Sequence, residues 1–169
     1  MVEYLNSPVL VPREFFMKKV PLNKGFFSLV DDKDYEFVAQ WTWHFDGKYA
    51  FRSKRYGPRK EGKSYKIYLH RLITNCPPNK QIDHINRNAL DNRKCNLRIC
   101  TKKENNHNRD KNSNNTSGFK GVWWDKRYKK WSVQIQHKHI GRFETATEGA
   151  IAYDKKAKEL YKEFAMTNF

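Results

Sequence analysis

Along residues 15–46, FFMKKVPLNKGFFSLVDDKDYEFVAQWTWHFD, two apolar-rich runs flank the triplet Asn23-Lys24-Gly25. Short apolar runs on either side of a glycine-bearing turn predict a β-hairpin. The period then changes. In VDDKDYEFVAQW, Tyr35, Val38 and Ala39 recur at helical spacing behind Asp31 and Asp32, either of which suits an N-cap, so a short helix is expected. In WTWHFDGKYAFRS the pair Asp46-Gly47 separates two aromatic runs, the signal of a second hairpin. RYGPRKEGK at 55–63 predicts a loop, YKIYL a strand, and HRLI the start of a helix.

Residues 109–118, RDKNSNNTSG, contain no apolar side chain and predict a linker. Beyond them FKGVWW, WSVQIQ and HIGRF predict three short strands joined by DKRYKK and HK. A helix follows in ETATEGAIAYDKKAKELYKEF. Thr145 and Glu148 suit a capping box, and Ala150, Tyr153, Ala157, Leu160 and Phe164 share one face that would pack on the sheet. The expected organisation is a β-rich N-terminal region with a short helix over 1–62, a module over 63–108, a linker over 109–116 and a sheet-and-helix domain over 117–169.

Charge changes the picture. The 169 residues carry a formal charge of +16 with 15% aromatic residues, at a mean hydropathy of −0.98. Disordered basic tails lack aromatics, so this pattern predicts a folded polyanion binder, with nucleic acid as the partner. In the C-terminal region the helix is nearly neutral. The strands and turns instead hold Lys120, Lys126, Arg127, Lys129, Lys130, Lys138 and Arg142 against Asp125, so the sheet side is the expected polyanion surface. No apolar run approaches a membrane span and no signal-peptide core is present, which predicts a cytoplasmic protein with no membrane partner; a monomer is expected. Cys76, Cys95 and Cys100 form no Cys-x-x-Cys pair, so neither a zinc site nor a disulfide framework is expected.

The candidate chemistry lies in QIDHINRNALDNRKCNLRICTKKENN, residues 81–106, where one Asp-His pair precedes a series of asparagines. Cutting a phosphodiester needs an activated nucleophile, a stabilised leaving group and charge neutralisation. A histidine can deprotonate water and a carboxylate can hold a cation. Asp83 and His84 offer both, although adjacent strand residues point to opposite sides, so a loop or distortion must bring them to one phosphate. Asn86, Asn88 and Asn92 suit Asx-turns.

His70-Arg71-Leu72, Asp83-His84, Asp91-Asn92, Asn96-Leu97-Arg98, Thr101 and Glu104-Asn105 occur in that order. The set resembles the HNH endonuclease family, in its phage and mobile-element branch with asparagine in place of the last histidine. The leader VPLNKGFFSLVDDKDYEFVAQWTW resembles the region upstream of the nuclease motif in such proteins. The resemblance implies an α+β fold whose ββα-metal core is a two-stranded hairpin packed on a helix. It implies a site-specific homing endonuclease or nickase acting on double-stranded DNA in a bacterial host. His84 would be the general base and Asn96 would fix its ring. Asp83 and Asn105 would hold one Mg²⁺ or Mn²⁺, two hard oxygen donors being unsuited to zinc. The last HNH position is Asn105 by register from Thr101, or His107 in another register; Asn105 and Asn108 lie one turn apart. His70 and Arg98 are secondary candidates.

Residues 117–169 resemble the AP2 DNA-binding domain through Gly121-Val122, Trp131, Gly141, Phe143, Thr145, Ala150, Ala152-Tyr153-Asp154 and Asn168-Phe169. That resemblance implies a three-stranded antiparallel sheet in the major groove, backed by one helix. Arg127, Lys129, Lys130, Trp131 and Arg142 are the expected DNA contacts, and Trp123 or Trp124 either contacts DNA or joins the core. Two other functions remain open: a non-cleaving DNA-binding regulator, and an RNA binder, which leaves the Asp-His-Asn set unexplained.

Overall fold

The computed structural model describes residues 17–58, 62–109, 111–112 and 114–169. It divides into two compact units. One comprises the chain up to Cys76 together with His84–Arg98, the other Pro77–Asp83 together with Ile99–Phe169.

The first unit opens with strands β1 (Met17–Pro21) and β2 (Phe27–Asp31), antiparallel across a 3-10 turn at Asn23–Gly25. Helix α1 (Asp32–Val38) follows with Asp31 at its N-cap position. Strands β3 (His44–Phe45), β4 (Ala50–Tyr56) and β5 (Lys63–Tyr68) form an antiparallel sheet, and α2 is Leu69–Thr74. Asp46 makes the β3–β4 turn by accepting the N–H groups of Lys48 and Tyr49. Val20, Val30, Val38, Trp43, Ala50 and Leu69 are the buried core. Trp43 can be buried there because its indole N–H donates to the Val38 carbonyl at 2.8 Å. Ala39, expected to face inward, is exposed. β4 and β5 run further than the sequence suggests, because Arg55, Tyr56 and Lys63 pair as strand residues where a loop was expected.

Strands β6 (Gln81–His84) and β7 (Leu97–Cys100) pair as a two-stranded sheet, joined by the 85–96 loop. Helix α3 (Lys102–His107) starts from a capping box between Thr101 and Glu104.

In the second unit β8 (Val122–Asp125), β9 (Lys130–Ile135) and β10 (Lys138–Phe143) form a three-stranded antiparallel sheet with β9 central. Helix α4 (Ala146–Tyr161) starts from the Thr145–Glu148 capping box and packs Ala150, Tyr153 and Ala157 against Val122, Val133 and Ile135. Leu160, expected on that face, is exposed. Gly121 permits the close approach of chain and helix. A side chain there would meet the Tyr153 ring at 2.2 Å, and its φ of +77° is a conformation glycine tolerates. The C-terminus is tied back onto buried Asp154, whose carboxylate accepts the N–H groups of Asn168 and Phe169, while Asn168 Oδ1 accepts the Lys120 N–H.

Candidate active site

His84 is the last residue of β6 and is buried. Its Nε2 lies 3.3 Å from Asn92 Oδ1. The Asn92 amide is itself oriented: Nδ2 donates to Ser28 Oγ at 2.7 Å, and the Ser28 hydroxyl donates to the Leu90 carbonyl at 2.9 Å. An amide whose NH₂ end is committed to Ser28 presents its oxygen to the imidazole. That oxygen only accepts, so the ring nitrogen facing it carries the proton and Nδ1 becomes the basic nitrogen. β2 fixes the same loop through its backbone: Leu29 N–H donates to Leu90 O, and Asn92 N–H donates to Leu29 O, both at 2.8 Å.

The rest of the loop is cross-braced. The buried Asp91 carboxylate takes two hydrogen bonds from the Arg93 guanidinium, at 2.8 and 2.7 Å, and one from Asn86 Nδ2 at 2.8 Å. Burial pushes its carboxyl up, but Arg93 and Asn86 outweigh that and hold it below the usual carboxylate range. Asn96, expected against the His84 ring, is buried in this brace. Its Oδ1 accepts the Asn86 N–H at 2.9 Å and its Nδ2 donates to the Asp91 carbonyl at 2.7 Å. Asn86 and Asn88 make the expected Asx contacts, accepting from the N–H groups of Asn88 and Leu90. Asn92 instead takes the position against the histidine. Its Asp-Asn dipeptide is visible in the sequence, but Ser28, 64 residues away, gives no local signal.

Beside His84 lie two aromatic neighbours. The His70 ring is edge-on at 5.4 Å, and Tyr49 is 6.1 Å from His84 and 4.9 Å from His70. His70 also stacks on Tyr68. Burial, then the nearby His84 and Arg71, press the His70 pKa down to about 3, so it stands neutral beside the candidate base. Its Nδ1 is buried without a hydrogen-bond partner. Arg98 is half-buried on β7.

Asp83 is buried, and its Oδ1 accepts from Asn108 Nδ2 at 2.8 Å. Asn105, one turn earlier, donates Nδ2 to Gln81 Oε1 at 2.8 Å. Asn108, at the C-cap of α3, is thus the asparagine the fold places on Asp83. The His107 ring stacks on Tyr161 at 3.8 Å and 11° between planes. Lys120 Nζ donates to the carbonyls of His107 and Arg109 at 2.8 and 2.6 Å. α3 is therefore fastened at its C-terminal end by residues from the start and end of the sheet-and-helix region.

On the C-terminal sheet, Trp131 lies on the face toward α4, packed against its core with Trp124 edge-on beside it. Trp123, directly across from Ser132, points to the other face and is 39% exposed. Lys130 and Arg142 form ion pairs with Glu144 and Asp125 at 2.6 and 3.4 Å. Arg142 also lies over the Tyr128 ring at 3.7 Å. Arg127 and Lys129 are exposed in the β8–β9 turn.

A family model described as HNH endonuclease matches residues 68–107, which contain every residue of this Asp-His-Asn arrangement up to α3. An uncharacterized HNH endonuclease of Acanthamoeba polyphaga mimivirus is 30% identical over 156 residues, covering 86% of this chain and 76% of that protein. The chain belongs to the HNH endonuclease family. Protein 3.8 of Escherichia phage T7 is 35% identical over 92 residues, 53% of this chain and 76% of that protein. No solved structure matches the chain.

An HNH endonuclease is a DNA-cleaving hydrolase that typically uses a divalent metal. Among the described residues no group of three His, Cys, Asp or Glu side chains is assembled to hold an ion. Asp83 offers one carboxylate, held by the Asn108 amide, and Asn105 lies one turn earlier on α3 against Gln81; oxygen donors of this kind fit a hard cation that keeps part of its water shell. No helix among the described residues is long and apolar enough to cross a membrane.

Proposed function

We propose that the chain is a metal-dependent, site-specific DNA endonuclease or nickase of the phage or mobile-element homing type, in which His84 is the general base. The observation that carries this reading is the Ser28–Asn92–His84 relay, which assigns the proton to Nε2 and leaves Nδ1 basic. His84 takes a proton from water, the resulting hydroxide attacks phosphorus in line, and the P–O3′ bond breaks as O3′ takes up a proton from solvent to leave as the 3′-hydroxyl. A neutral His70 adds no positive charge against the imidazolium that forms. Asp83 and Asn105 are the proposed ligands of Mg²⁺ or Mn²⁺, with Asn108 positioning the Asp83 carboxylate. Held there, the cation would supply charge neutralisation at the phosphate and at the leaving oxygen. The C-terminal sheet and α4 act as an AP2-like DNA-binding module, presenting Arg127, Lys129, Lys130 and Arg142 to the duplex with Trp123 on the open face.

The test is plasmid nicking with purified protein in Mg²⁺ and Mn²⁺, compared with His84→Ala. A general base is worth about 10²-fold or more, so the variant should lose at least that much cleavage while keeping its DNA affinity. Near-normal nicking by His84→Ala would remove the assignment. Tight DNA binding with no cleavage by the wild-type protein in either metal would favour the non-cleaving regulator.

A further inference from the structure

The β4–β5 ribbon outgrows the core it starts from. Ala50 and Leu69 anchor its base, but Ser53–Tyr56 and Lys63–Lys66 are exposed on both faces. Register puts Lys54 opposite Tyr65 and Tyr56 opposite Lys63, so these four side chains share one face. There Tyr56 and Tyr65 stack at 5.3 Å while remaining 59% and 41% exposed. Lys54 Nζ lies over the Tyr56 ring at 5.2 Å. The described strands of the ribbon carry Arg52, Lys54, Arg55, Lys63 and Lys66 and no acidic residue. At the base of the ribbon Asp46 holds Lys66 at 3.0 Å. A solvent-facing strand pair needs neither two exposed tyrosines nor this uniform sign of charge for its own stability.

We propose that the β4–β5 ribbon is a DNA-contacting element in its own right, which enters a groove of duplex DNA with the Lys54, Tyr56, Lys63 and Tyr65 face against the sugar–phosphate backbone. The inference rests on the nuclease reading for its choice of polyanion. The dimensions suit it. Four exposed residues per strand reach about 13 Å at about 3.3 Å per residue, and the major groove is about 12 Å wide and about 8.5 Å deep, enough to admit a two-stranded ribbon. Lysines reach phosphates, while the tyrosine rings offer flat apolar surface to the deoxyribose edges, so the contact adds affinity and register rather than sequence readout.

The experiment is fluorescence anisotropy of full-length protein on a labelled DNA duplex in EDTA, over a series of salt concentrations. Lys54→Ala/Lys63→Ala removes two phosphate contacts and should make the log–log salt slope shallower by about 1.8, at about 0.9 per phosphate. Tyr56→Ala/Tyr65→Ala should weaken binding with the slope unchanged. Lys155→Ala/Lys158→Ala removes the same charge from exposed positions of α4 and should leave the slope as in wild type. Wild-type affinity and slope in both ribbon variants would overturn the proposal, as would an equal loss in the α4 control or an effect on duplex RNA but not on DNA. A plasmid-nicking assay in Mg²⁺ on the same proteins separates the two readings. A slope shift with no wild-type cleavage would sink the nuclease reading alone, and cleavage with no slope shift would sink only the ribbon.

Discussion

At the scale of single residues, a small number of hydrogen bonds holds the His84 ring. Asn92 is the hinge of the relay, because its oxygen faces His84 only while its NH₂ group is held by Ser28. Outer partners that fix a catalytic or ligating histidine are commonly worth about 10–100-fold. Asn92→Ala should therefore cut single-turnover nicking by about that factor at unchanged DNA affinity. Ser28→Ala, which frees the amide without removing it, should cost less. Equal rates for all three proteins would show that the ring is held some other way. His70 makes a second residue-scale prediction. Its pKa falls from 6.5 to about 3 on folding because burial, His84 and Arg71 disfavour the charged form, with Asp46 opposing them. The unfolded chain thus binds the proton more readily. The stability tied to neutral His70 is complete above about pH 6.5 and is lost as pH falls toward 3, by about 2 kcal/mol at pH 5 at 1.36 kcal/mol per pH unit. His70→Phe should flatten that part of the stability profile in urea unfolding at pH 7 and pH 5; an unchanged profile would mean the imidazole is not the group titrating.

At the scale of elements, the short helix α3 cannot stand alone. Six residues are far below the length at which an isolated helix is stable. Its start is closed by the Thr101–Glu104 capping box, and its end by the Tyr161 ring over His107 and by the Lys120 ammonium on two carbonyls. Hydrogen bonds to a charged donor contribute about 1.5–3 kcal/mol, more than a frayed last turn can spare. Lys120→Ala should speed amide exchange across residues 102–108 and weaken nicking, because Asn105 and Asn108 sit on that turn. A fragment ending near residue 110 should lose activity for the same reason even at high enzyme concentration, although Asp83, His84, Asn96 and Asn105 are all retained. Full nicking by the fragment would show that α3 holds its place without the C-terminal residues.

At the scale of the whole molecule, what could be read from the sequence was what is encoded locally. The Asn23–Gly25 turn, the Asp46 turn, the Thr145–Glu148 capping box and the three C-terminal strands each depend on residues a few positions apart. The HNH motif was legible for the same reason, as an ordered run within residues 68–107. Long-range partners left no such trace. Nothing near residue 92 announces Ser28, and helical register alone cannot choose between Asn105 and Asn108 for Asp83. Strand parity was equally silent about which tryptophan faces α4, since Trp123, Trp124 and Trp131 are alike in hydrophobicity and only the pairing of β8 with β9 separates them. Arg55, Tyr56 and Lys63 read as loop because glycine, proline and charge surround them, yet they continue the β4–β5 register out to Tyr56 opposite Lys63.

The Lys120 ammonium, seated on the carbonyls of His107 and Arg109, has a consequence for descent and for engineering. A DNA-binding cassette joined by a slack tether can be exchanged between parents at any point along the tether. Here a crossover between residues 110 and 119 would separate the nuclease helix from the lysine that closes it and from the tyrosine that lies on its last histidine. Productive chimaeras should therefore inherit Lys120 and Tyr161 with the Asp-His-Asn motif, and a graft of a new recognition module onto this nuclease has to bring both contacts with it.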